Sequence, residues 1–211
     1  MNSIKKALEN WLNDLNKFSF KNYEELPDIE LYMDQVITFL DKQLKIFQNS
    51  IDDKQITPSM INNYVKGDVL SAPISKRYNR EHLALIEEIC TLKQVLSISD
   101  VKQILDSRYK EDSSNLEVFN EFNQMNNDKI NTSVNEAFKK LNGTDENDKD
   151  ALINLACDFA LTANAYINIS KKILFLTRTY SDIERIQEAK ENIDKDKKKK
   201  DKKNKEDENK E

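Results

Sequence analysis

The sequence predicts a mainly α-helical protein carrying one small β wing. Three observations predict it. The 211 residues include only two Gly and three Pro against 34% charged side chains, so tight turns are few and long helices are the default. Apolar residues recur at three- and four-residue spacing along most of the chain. One short stretch, residues 69–78, has no helical period and holds Pro73, which suits a β-ribbon.

Ile4, Leu8, Trp11, Leu12, Leu15 and Phe18 line one face of a first helix. Pro27 breaks the chain, and Asp28 is an N-cap candidate for a second helix with the stripe Leu31, Val36, Phe39, Leu40, Leu44 and Phe47. Residues 49–54 are polar and read as a loop. Thr57-Pro58 is a start signal, a cap residue followed by Pro in the first turn. Ile61, Tyr64 and Val65 form the buried face of a short helix that ends near Gly67. After the ribbon, Asn79 caps a helix carrying Leu83, Ile86, Ile89 and Cys90. Ser97 and Asp100 form a capping-box-like pair ahead of Val101, Ile104 and Leu105.

The remainder reads as plain helix. Ser114 and Glu117 open a helix through Phe119, Phe122, Ile130, Val134, Phe138 and Leu141, and Asn142-Gly143 stops it. A last stripe runs from Leu152, Leu155 and Phe159 through Ala163, Tyr166, Ile167, Ile173 and Leu174 to Tyr180. Beyond about residue 194 the chain is Lys, Asp and Glu with nothing to bury, which predicts disorder. The expected organisation is therefore an N-terminal helix and linker (1–27), a winged domain (28–110), a helical dimerisation or regulatory region (111–190) and a disordered charged tail (191–211).

Composition excludes several function classes. Two Gly build no Gly-rich nucleotide loop. One His and two Cys supply neither a His/Cys metal site nor a disulfide framework. Neither a nucleophile–base pair nor a phosphate loop is present, so the expectation is a non-enzyme with no cofactor and no metal. Residues 151–169 are apolar in part, but Asn154, Asp158, Asn164 and Asn168 would lie in hydrocarbon, so no membrane span is expected. No signal-peptide pattern is visible at the N-terminus, and two Cys suit a reduced, cytoplasmic protein. Cys90 reads as a small core residue, and Cys157 reads the same way or as a redox-sensing thiol.

The formal net charge of −5 argues against uniform contact with nucleic acid. The average hides a local exception. Lys66, Lys76, Arg77 and Arg80 face a single acid, Asp68, within residues 66–80, while the acidity belongs mainly to residues 1–55 and 111–189.

Residues 56–70, then Pro73, then Lys76-Arg-Tyr78-Asn-Arg80-Glu-His-Leu83, then residues 92–105 resemble a MerR-like winged helix-turn-helix. Residues 26–36, with the segments Met60 to Lys66, Lys76-Arg-Tyr78 and residues 92–98, more closely resemble a bacterial family, the domain of unknown function 1836. The resemblance covers most of residues 24–106. It implies a recognition helix, a wing and two further helices. Three positions depart from the MerR pattern: Asp68 stands where a Gly usually follows the recognition helix, Asn62 where an Arg is usual, and Val95 where a Gly usually precedes the last helix. The loop of roughly residues 48–56 is also longer than in typical members.

With Ile61, Tyr64 and Val65 inward, Ser59, Asn62, Asn63 and Lys66 face outward on the short helix. Such a face suits a major groove, where Asn pairs with adenine and Lys meets phosphate or guanine; otherwise it is a solvated polar face. Lys76, Arg77 and Arg80 suit phosphates or are ordinary surface charge. Tyr78 donates its hydroxyl to a phosphate or is a packed core tyrosine. The expected partner is double-stranded DNA, bound by a homodimer formed through residues 111–190, with any small-molecule effector unknown. The expected role is a DNA-binding transcriptional regulator; the alternative is a helical protein–protein interaction module without DNA binding.

Overall fold

The structure is a computed structural model in which residues 3–48, 56–110, 112–145 and 148–208 are described, with side chains to 187 and at 190. The loop expected at residues 49–54 lies outside the described residues. Among the described residues the order is α1 (Ile4–Lys17), β1 (Leu31–Tyr32), α2 (Met33–Gln43), α3 (Pro58–Lys66), β2 (Arg77–Tyr78), α4 (Arg80–Lys93), α5 (Ile98–Arg108), α6 (Asn115–Leu141) and α7 (Lys149–Glu208). Single 3-10 turns precede β1 (Tyr23–Glu25) and follow α2 (Lys45–Phe47). The mainly helical expectation and the small sheet are both observed.

The caps read from the sequence form as expected in four places. Thr57 Oγ1 accepts the Met60 N–H at 3.3 Å, and Asn79 Oδ1 accepts the His82 N–H at 3.0 Å. Ser97 Oγ accepts the Asp100 N–H at 3.2 Å, and Ser114 Oγ accepts the Glu117 N–H at 3.4 Å. Each satisfies a donor that the first helical turn leaves orphaned.

Asp28 does not cap α2. The helix begins at Met33, because Leu31 and Tyr32 are drawn into an antiparallel pair with Tyr78 and Arg77. Tyr32 then takes the cap position, its N–H donating to Gln35 Oε1 at 2.9 Å. The wing is thus anchored by a strand that lies before α2, more than forty residues upstream in sequence. The wing tip is a two-residue turn: the Arg77 N–H donates to the Ile74 carbonyl at 2.9 Å, and Ser75 and Lys76 both have positive φ, 50° and 61°. Positive φ at both central residues is the type I′ signature, usually met by Asn-Gly.

Residues 1–164 form one compact unit, and two packed regions lie among its described residues. In the first, Val36 and Leu40 of α2, Ile61 of α3, Leu83, Ile86 and Ile89 of α4 and Val101 of α5 have no solvent exposure. In the second, Leu12 and Leu15 of α1 pack with Val134, Ala137 and Leu141 of α6, and Leu152, Leu155 and Phe159 of α7 close over them. Phe119 of α6 is fully buried, and α6 also contacts α4. Charge segmentation puts a boundary at 110/111, yet α6 fills the same unit as α2–α5.

Residues 165–211 form a second unit, whose described part is the rest of α7, to Glu208. The helical backbone continues to Glu208, where composition predicts disorder; Lys and Glu are good helix formers even with no core to join. Ala163, Tyr166 and Tyr180 are exposed, and Ile167 and Leu174 are half-buried. Cys157 is exposed, not the core residue its apolar neighbours suggest, because α7 turns Leu155 and Phe159 inward and 157 away. Among the described residues no helix is long and apolar enough to cross a membrane, and no three His, Cys, Asp or Glu side chains are grouped to hold a metal ion.

Candidate nucleic-acid interface

The short helix α3 presents the predicted face. Ser59, Asn62, Asn63 and Lys66 are all exposed, while Ile61 and Tyr64 are buried. The helix ends in a Schellman cap. The Val69 N–H donates to the Tyr64 carbonyl at 2.9 Å, and the Asp68 N–H donates to the Val65 carbonyl at 3.1 Å. The left-handed residue of this cap is Asp68, with φ 53°, and not Gly67, whose φ is −83°. The position where the MerR pattern has Gly therefore keeps the left-handed backbone without the glycine; Asp tolerates it better than most residues.

Lys102 of α5 holds that corner. Its Nζ lies 2.7 Å from the Asp68 carboxylate and also donates to the Asp68 carbonyl oxygen. This pairing holds the Asp68 carboxyl below its usual range, first through the hydrogen bond and then through the charge. Beside it, α3, α4 and α5 enclose a cleft of 690 Å³ reached by Asn63, Lys93, Gln94, Ser99 and Lys102. Tyr64 and Cys90 lie at its floor, where burial pushes the phenol and the thiol each up to about 12. The Cys90 thiol is therefore an inert core group.

The wing residues divide. Lys76 is exposed at the turn. Arg77 is exposed but held: its Nη2 donates to the Tyr32 hydroxyl at 3.2 Å, its guanidinium lies 5.3 Å from the Tyr32 ring centre, and Glu30 stands 3.7 Å away. Those contacts, the Tyr32 hydroxyl first, raise its already high pKa. Arg80 is half-buried, with its guanidinium 5.7 Å from the Tyr23 ring centre. Tyr78 is 3% exposed and meets His82 edge-on at 5.6 Å. Of its two sequence readings, the packed one matches its position.

His82 is structural here. Asn79 and His82 cap each other reciprocally, and Ser71 Oγ is 3.2 Å from the His82 Nε2. Burial lowers the His82 pKa. β2 and α3 both contact α2, so one helix carries the β2 strand and α3 together.

Sequence reading missed Tyr32, Glu30 and Lys102, which position Arg77 and Asp68. It also missed two acids: Glu87 and Glu88 of α4 are fully buried. Asn123 of α6 donates to Glu87 Oε1 at 3.4 Å and to the Lys21 carbonyl at 2.6 Å. The Tyr109 hydroxyl donates to Glu88 Oε1 at 2.8 Å. Burial pushes Glu87 up to about 8 and Glu88 to about 7. The full burial of two adjacent acids has no signal in a pattern of apolar spacing.

Residues 21–139 match the family described as Domain of unknown function (DUF1836). The chain belongs to that family. The match runs past α5 to include most of α6, in keeping with α6 sharing the unit of α2–α5. No curated protein and no solved structure matches the chain. Within the DUF1836 region lie all eight candidate contact residues, Ser59 to Arg80.

Proposed function

We propose that the protein binds double-stranded DNA as a MerR-like winged helix-turn-helix homodimer and acts as a cytoplasmic transcriptional regulator. The observation that carries this reading is the exposed face of α3. It offers Ser59, Asn62, Asn63 and Lys66 on a helix whose opposite face is locked into the core. Asn suits adenine edges in a major groove, and Lys66 suits phosphate or guanine. Lys76 and Arg77 of the wing take phosphates, with Arg77 pre-oriented by Tyr32. Tyr78 and Arg80 support the wing from inside. The reading assigns binding and no catalytic step. Residues 111–190 supply the dimer contact, which sets two recognition helices on two half-sites.

A protein-interaction module without DNA binding is the second reading. Glu30 beside Arg77 and the packing of Arg80 on Tyr23 favour it, since both reduce the cation available to phosphate. The test is a gel-shift series with genomic fragments over a range of salt. Salt-dependent shifts that weaken in Lys66→Ala with Arg77→Ala support DNA binding. No shift at low salt rejects it.

A further inference from the structure

One stripe of α7 keeps a single alternation of three- and four-residue steps. Leu152, Leu155 and Phe159 are spaced three and four apart and are spent on α1 and α6. The same alternation of three and four continues, after Thr162, as Tyr166, Ile169, Ile173, Leu176, Tyr180 and Ile183. These six are 40% to 67% exposed. A strict seven-residue repeat is the coiled-coil pattern, and it keeps one stripe against a partner by supercoiling. On the opposite side of α7, Lys171, Arg178 and Arg185 recur at the same seven-residue interval, as the solvent face of a coiled coil requires.

We infer that residues 166–183 of α7 pair with the same segment of a second copy of this chain, in antiparallel orientation about a point between Leu174 and Phe175. The inference deepens the dimeric part of the proposed function and is independent of DNA. The seam is self-complementary in that register: Tyr166 faces Ile183, Ile169 faces Tyr180, and Ile173 faces Leu176 of the other copy. Each large Tyr meets a smaller aliphatic side chain, whereas parallel pairing sets Tyr against Tyr twice. The flanking Lys172 meets Thr179, so no like charges oppose. The twelve seam side chains of two copies bring together roughly 1,300 Å² of exposed surface, within the range of specific interfaces. Phe175 lies off the seam, with Lys172 Nζ 5.0 Å from its ring centre.

The test is sedimentation of the full chain at micromolar concentration, alongside Ile173→Asp with Leu176→Asp. The expected result is a dimer that becomes a monomer in the variant. Emission of Trp11, the single tryptophan, is expected to stay unchanged, because it reports on the α1 region and not on the seam. A monomeric wild type, or a dimer that survives both aspartates, overturns the inference. Orientation is read by oxidation in a Cys157→Ser background. Ile169→Cys together with Tyr180→Cys is expected to cross-link, and Ile169→Cys alone is not. Cross-linking by the single variant, or none by the pair, overturns the register.

Discussion

Lys102 Nζ stands 2.7 Å from the carboxylate of Asp68, joining α5 to the residue that closes α3. The partners are 34 residues apart in sequence, and Asp68 is the left-handed residue of the α3 cap. Backbone conformation and ion pair are thus met by one side chain. Asp68→Ala removes the pair and leaves a residue that resists positive φ, so thermal denaturation is expected at lower temperature than wild type. Asp68→Gly removes the same pair but relaxes the backbone. It is expected to melt above the Ala variant, and equal melting of the two would show that the left-handed backbone contributes nothing.

The wing tip carries a similar conflict, and among the described residues no ion pair offsets it. Ser75 and Lys76 occupy a turn that suits Asn-Gly. Lys76→Gly is expected to stabilise the fold by about 1 kcal/mol, from relief of the left-handed backbone. The same change removes a wing cation. Chemical denaturation and DNA titration of one variant should therefore move in opposite directions, the protein firmer and the complex weaker.

Glu87 and Glu88 give a pH dependence with a defined sign. Unfolded, a glutamate ionises near pH 4.3. Folded, burial holds their protons up to about 8 and about 7. Between these values the native state binds more protons than the unfolded one, so stability falls as pH rises. It is full below the unfolded value and levels off once the folded values are passed. The melting temperature is expected to be higher at pH 5 than at pH 8.5, and Glu87→Gln should flatten that slope. A melting temperature that climbs over this interval would show the two acids to be ionised in the fold.

Tyr32 holds Arg77 by a hydrogen bond and by its ring face. Tyr32→Ala is expected to weaken DNA binding by about 2- to 5-fold, the scale of an exposed cation–π contact. Tyr32→Phe keeps the ring and should lose less. The measurement is a DNA titration of both variants against wild type, and equal affinity of all three would remove Tyr32 from the wing's support.

Much of this was legible in the sequence where cause and consequence are close together. Thr57, Asn79, Ser97 and Ser114 cap helices because their oxygens reach N–H groups three residues on. The faces of α3 and α4 follow from local spacing, while of the α1 stripe Leu12 and Leu15 are buried and Ile4 and Trp11 are exposed. What required the structure is non-local. Leu31 and Tyr32 leave α2 because Tyr78 and Arg77 pair with them across the wing. Arg77 is oriented by Tyr32, and Asp68 by Lys102, across gaps that no local pattern spans. The exposed Cys157 shows the limit of composition: its neighbours are apolar, but only one side of α7 meets α1 and α6.

The most direct measurement is DNA affinity as a function of salt, for wild type and for Lys66→Ala with Arg77→Ala. Each phosphate contact adds close to 0.9 to the slope of log affinity against log salt. The expected result is binding that weakens steeply with salt, with a slope shallower by roughly 1 for each cation removed. Binding absent at about 50 mM salt, or a slope unchanged in the double variant, would contradict DNA recognition by α3 and the wing.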